Sequence, residues 1–201
     1  MTINIYPWLY SRIEMIYASF ARPVGLFDNW FNRVVSKITG GDFCHSEFIV
    51  SWDSETAKKF FSTLEGHDKL KDKYGLYEED GLIHICFYVL WGDRCAFRLL
   101  KYNHNNPFYR FPNEQQFELV PLETSEENEF MLSQFLLNQC KKPYDYAGAL
   151  FSWMPLRYSD TEYPSYYCSQ LMICALQNIR MHQEVNPSGY TPNALYKLLK
   201  S

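Results

Sequence analysis

Cys168 stands in the stretch YPSYYCSQLMICALQ, residues 163–177, behind two tyrosines and a proline at what reads as the start of an amphipathic helix. A cysteine in a helix is ordinarily a small apolar filler. In a helix's first turn, however, unpaired N–H groups and the positive end of the dipole favour a thiolate, lowering a thiol pKa that is otherwise about 8.5. The Cys168 N–H is also placed there to hold an oxyanion, so the chemistry to weigh is nucleophilic attack on a carbonyl.

A thiolate nucleophile needs an acid–base partner, normally a histidine oriented by a third polar group. The five histidines are 45, 67, 84, 104 and 182. His67 falls in a charged stretch, His104 in the loop KYNHNNP and His182 at the far end of the Cys168 helix, and all three read as surface residues. His45 opens an apolar run directly after Gly40-Gly41, where a rigid strand would hold its ring. His84 begins the next apolar run. A lone strand histidine is more often structural, so neither stands without further support.

The elements that must carry these residues follow from periodicity. Residues 25–41 read as a helix with Phe27, Trp30, Phe31, Val34, Val35 and Ile38 on one stripe and the glycine pair as its stop. Such a stripe reads as core, or alternatively as a face for a membrane or partner. FCHSEFIVSW reads as a strand. GLIHICFYVLWGDRCAFRLLKY reads as two strands about a turn, and FELVPL as another. Between the first two lie residues 53–80, densely charged and interrupted by Gly66 and Gly75, expected as a solvated helical insertion or a lid. A helix follows Ser125, its expected N-cap, with acidic residues in the first turn and Phe130, Leu132, Phe135, Leu136 and Gln139 as its stripe. The Cys168 helix runs from 165 to about 181, its inner face made by Leu171, Met172, Ala175 and Ile179, and TPNALYKLL supplies a short terminal helix. The expected organisation is one domain over 1–201, with helices through about 1–40 and strands and helices segregated: α+β.

Composition narrows the function classes. The chain has 201 residues, is 47% hydrophobic, and carries a net charge of -4 without a basic stretch, which disfavours a nucleic-acid partner. Cysteines at 44, 86, 95, 140, 168 and 174 form no C-x-x-C pair and no Cys/His cluster of zinc-site spacing, so neither a metal nor another cofactor is expected. The N-terminal segment lacks the pattern of an export signal, and no apolar run reaches the roughly 18 residues of a membrane span. Together these lead to an expectation of free thiols in an intracellular compartment.

Four stretches in order, GDFCHSEFIV, KKPYDYAGALFSW, YYCSQLMICAL and YTPNALYKLL, resemble the circularly permuted branch of the NlpC-type papain-like superfamily. That branch includes YiiX-like proteins, lecithin retinol acyltransferase and phage and large-virus proteins. The resemblance spans about 40–200, with the charged insertion as the main departure. It implies a permuted papain-like fold in which an antiparallel sheet packs against helices. It also implies Cys168 as nucleophile and His45 as general base.

For the orienting residue, Glu47 lies two positions after His45 and so on the same strand face. The HSE pattern is similar to that of viral members. His84 or a polar residue near Asp93 stands as the alternative. Tyr144, Asp145 and Tyr146 match the family's Y-D element, implying packing and pocket lining. Their other reading is a turn closed by an Asx hydrogen bond. Tyr166 and Tyr167 either rim the cleft or pack.

The implied activity is a thiol protease or amidase acting on a peptide or isopeptide. The alternatives are acyl transfer or thioester hydrolysis on an acyl lipid, and a lapsed scaffold serving in a virion or host interaction.

Overall fold

The structure, a computed structural model, describes residues 15–62, 82–100, 116–152 and 163–201. Five strands, β1 (Met15–Ala21), β2 (His45–Asp53), β3 (Leu82–Val89), β4 (Cys95–Leu100) and β5 (Phe117–Leu122), form one antiparallel sheet in the order β4-β3-β2-β1-β5. The three runs read as strands around the turn WGD and at FELVPL are therefore strands, and β2 is the sheet's centre. Six α-helices lie among the described residues: α1 (Trp30–Ile38), α2 (Ser54–Ser62), α3 (Glu126–Gln139), α4 (Tyr146–Phe151), α5 (Cys168–Asn178) and α6 (Pro192–Lys200). The fold is mixed α+β, as the sequence implies.

Side chains on β2 alternate. Phe48, Val50 and Trp52 join the main core with Ile16, Phe20, Ile85, Leu171, Met172 and Leu176. Ile49 turns to the other face with Tyr17 and Cys86. Because both faces are covered, every residue from His45 to Trp52 is buried, the polar His45, Ser46, Glu47 and Ser51 included, and the sequence shows no clean alternation. Helix α5 lies on β2 and α3 packs on α5, which places α5 against the strand that begins with His45. Ser125 caps α3 as expected, accepting from the Asn128 N–H (3.3 Å), with Leu132, Leu136 and Gln139 buried.

Two expectations fail in the N-terminal region. Helices through about 1–40 give way to β1 at Met15–Ala21, paired on one side to β2 and on the other to β5. Its seven residues, MIYASFA, are apolar or small on both faces, so period two is masked and nothing local separates strand from helix. The helix expected over 25–41 is the shorter α1, preceded by a 3-10 turn at Gly25–Phe27. Its stripe is not core: Trp30, Val34 and Ile38 are 76%, 40% and 59% exposed. The helix lies beside the sheet's end, where, among the described residues, Phe27 and Phe31 of the stripe reach aromatic partners across the fold.

Of the insertion 53–80, α2 forms the start and buries Ala57. The remainder, with His67 and any lid, lies outside the described residues, as does His104.

Candidate active site

The first strand residue of β2 is set from three directions. Its backbone pairs with β1 (Ala21 opposite His45), and the preceding Cys44 N–H donates to the Ala21 carbonyl at 2.9 Å. Asn193, 3% exposed near the start of α6, accepts from the Phe43 N–H (2.9 Å) and donates to the Phe43 carbonyl (2.9 Å) and the Thr39 hydroxyl (2.6 Å). Gly41 makes that clamp possible, since a Cβ there would stand 2.3 Å from Asn193 Oδ1. Finally, the Phe27 ring stacks on the His45 ring, centroids 5.1 Å apart at 18°.

Cys168 is the first residue of α5, with extended Tyr167 as N-cap. The helix is therefore shorter than the expected 165–181, yet Cys168 lies in its first turn as the sequence suggests. Its flanks are tied to the turn before α6. The Ser169 hydroxyl donates to the Tyr190 carbonyl (2.6 Å), Gln170 Nε2 to the Ser188 hydroxyl (3.2 Å) and the Tyr167 hydroxyl to the Pro187 carbonyl (3.1 Å). Thus the polar neighbours of Cys168 in CSQ anchor the helix start.

The PYDYAG stretch meets both readings offered for it. Tyr144 pairs as an isolated parallel bridge with Tyr166, and the Asp145 N–H donates to the Tyr166 carbonyl at 2.8 Å. The Asp145 carboxylate caps α4 by accepting from the Gly148 N–H (2.8 Å). Tyr144 is thereby fixed beside Cys168 and lines the cavity onto which Cys168 and His45 open. Tyr167 lines it too, whereas Tyr166 packs in the core.

The structure brings Cys168, His45 and Glu47 together. Cys168 and His45 both line one cavity and lie close enough for each to shift the other's pKa. Nε2 stands 3.5 Å from Glu47 Oε2, within ion-pair reach but outside hydrogen-bond geometry. Burial alone would push the imidazole's pKa down. The sulfur and the carboxylate outweigh it and raise His45 to about 9. For Cys168, burial pushes up, but His45 and the Ser46 N–H pull the thiol below its ordinary value. Glu47 is likewise held below the usual carboxylate range, against burial, by His45 and Arg98. The other thiols move the opposite way, mainly by burial: Cys44, Cys95 and Cys174 are each raised to about 12, Cys140 to about 11, and Cys86 is raised as well.

The alternatives for the third group lie elsewhere. His84 Nδ1 meets the Ser51 hydroxyl at 2.7 Å, opposite a residue six positions along β2 from His45, and burial lowers its pKa to about 4. Asp93 is in the exposed β3–β4 turn and accepts from the Arg94 N–H (2.8 Å).

Arg98 on β4 is a site residue that the sequence reading missed. Its Nη2 is 3.4 Å from both Glu47 oxygens, and its guanidinium lies 5.0 Å over the Tyr88 ring. The register Ile49–Cys86–Arg98 across β2, β3 and β4 puts it on the Glu47 face. Only strand pairing could have signalled that.

The cavity encloses about 380 Å³, an ordinary small-ligand size. Phe27, Phe31, Leu90, Trp91 and Phe117 make its walls largely apolar. Around it the surface exposes Trp30, Trp91, Tyr146, Leu150 and Phe151. Phe31 and Tyr146 meet the Trp91 ring at 4.0 and 4.7 Å. All six cysteines are free thiols, and no helix among the described residues is long and apolar enough to cross a membrane. No family model, curated protein or solved structure matches the chain.

Proposed function

We propose that the protein is a cysteine hydrolase of circularly permuted papain-like fold, cleaving an amide or ester bond of a peptide, an isopeptide or an acyl group. One observation carries this reading. A buried thiol at a helix start is lowered in pKa, a buried histidine against it is raised, and a carboxylate lies behind the histidine. The Cys168 proton resides on His45, and the thiolate attacks the carbonyl carbon. As the C–S bond forms, the carbonyl electron pair moves to oxygen, which N–H donors including that of Cys168 hold. Collapse breaks the C–N or C–O bond, and His45 gives its proton to the leaving group. Water, deprotonated by His45, then releases the acyl group and restores the thiolate. Six free thiols fit an intracellular or virion setting.

Acyl transfer on a lipid is the second reading, favoured by the exposed Trp30, Trp91, Leu150 and Phe151. An alcohol or amine then replaces water in the last step.

The test is the pH dependence of Cys168 alkylation by iodoacetamide, followed by peptide mass spectrometry in the wild type and His45→Ala. Reaction well below pH 8 is expected, falling about a hundredfold at pH 6.5 without His45, because an ordinary thiol is then roughly 1% ionised. Reactivity equal to that of the other five cysteines and indifferent to His45 rejects the proposal.

A further inference from the structure

Apolar side chains make much of the lining of the cavity beside Cys168, with Asn29, Asn32, His45 and Ser152 among its polar members, and Arg98 is the one arginine or lysine lining it among the described residues. Arg98 reaches it from behind His45. Its side chain is 39% exposed, whereas Glu47, which it contacts through Nη2, is 2% exposed and does not line the cavity. The ion pair engages Nη2 alone, the Cys86 thiol also acts on the guanidinium, and Nε is buried, so the exposed part of the fork lies on the Nη side. Both contacts to Glu47 are long, at 3.4 Å, both come from Nη2, and Nε has no hydrogen-bond partner among the described residues. A guanidinium offers five N–H donors in a planar fork. The carbon of this one lies 5.0 Å over the Tyr88 ring, a cation–π contact that helps to hold it.

We propose that Arg98 receives the anionic end, carboxylate or phosphate, of an otherwise apolar ligand bound in the cavity. The fork matches either group bidentately, while Phe31, Leu90 and Trp91 take the apolar body. The inference rests on the reading of this cavity as the substrate site and adds to it a substrate class: molecules with a negative charge that reaches Arg98 when the bond to be cleaved lies at Cys168. Arg98 also bears on Glu47, so an anion held there shares the guanidinium with Glu47 and leaves that carboxylate more fully to His45.

The experiment is calorimetric titration of the Cys168→Ala protein with 4-phenylbutyrate, 3-phenylpropyl phosphate and neutral 4-phenylbutyramide. It is repeated with Arg98→Gln and Arg98→Lys added, each checked for folding by circular dichroism. At least one anion is expected to bind about tenfold more tightly than the amide, as one charge-assisted fork predicts, and which anion it is identifies the group. The gap closes in Arg98→Gln and shrinks at least threefold in Arg98→Lys, which keeps the charge but not the fork. Equal affinities for all three probes overturn the proposal, as does a gap unchanged in Arg98→Gln. If Arg98→Gln leaves Glu47 unpaired and fails to fold, the lysine variant decides: an unchanged gap overturns the proposal. Because Cys168 is absent from these proteins, anion preference is read independently of thiol reactivity. A preference without a His45-dependent thiol rejects the hydrolase, and the reverse rejects only the anion site.

Discussion

His45 Nε2 faces Glu47 Oε2 at 3.5 Å, with the two side chains only 6% and 2% exposed. Taking a carboxylate and an imidazolium out of water is costly unless each has a counter-charge. Here Arg98, Glu47, His45 and Cys168 follow one another from β4 through β2 to the start of α5. Each group's charged form is favoured by its neighbours.

Glu47→Gln removes one of the two groups that raise His45 from its ordinary value to about 9. The Cys168 alkylation profile is expected to move to higher pH, with a severalfold slower rate at pH 6.5 and a smaller loss than in His45→Ala. An unchanged profile would show that the carboxylate does not act through the imidazole.

The same substitution has a signature in stability. Glu47 is held below its ordinary pKa in the fold, so on acidification the unfolded chain takes up that proton first. Its stabilising effect is present above roughly pH 4.3 and lost as the pH falls through the folded value. Urea unfolding at several pH values should show the wild type losing its advantage over Glu47→Gln toward acid. A gap that widens there contradicts the assignment.

Asn193→Ala strips three hydrogen bonds, two of them buried, from the segment leading to His45. A loss of about 1–3 kcal/mol is expected, together with slower Cys168 alkylation. Leu136→Ala, a core truncation remote from that segment, serves as the control. If it destabilises equally and slows alkylation equally, Asn193 has no positioning role.

Gly148→Ala places a Cβ 2.3 Å from Asp145 Oδ2 and 2.9 Å from Tyr167 Cδ1. The α4 cap or the tyrosine must shift, at a cost of about 1–3 kcal/mol. Because Tyr167 is the N-cap of α5, alkylation of Cys168 should slow as well. Wild-type stability by urea unfolding would show that the close approach is readily relieved.

Trp30→Ala separates an exposed aromatic face from a core stripe. At 76% exposure, its effect on unfolding should stay within about 0.5 kcal/mol. A loss above about 2 kcal/mol would restore the core reading.

Much of this arrangement was legible before any coordinates. Strand β5 and the Ser125 cap follow from local pattern, and Cys168 and His45 emerge from residue type, position and resemblance. Glu47 follows from period two once His45 is placed. What escaped has a common physical cause. Strand β1 is apolar on both faces, so its period is hidden. Arg98 joins the site only through register across three strands. Asn193 acts on a segment 150 residues earlier in the chain. The α1 stripe misled because periodicity reports an apolar face but not what covers it.

The Asn193 clamp also sets an order of events during synthesis. The Phe43 segment is made 150 residues before the side chain that fixes it. At about 5–20 residues per second this is a lag of roughly 8–30 s. Through that interval the growing chain carries His45 without its clamp, and for most of it without Cys168. The segment that leads to His45 is therefore held by β-sheet pairing alone until Asn193 has been made.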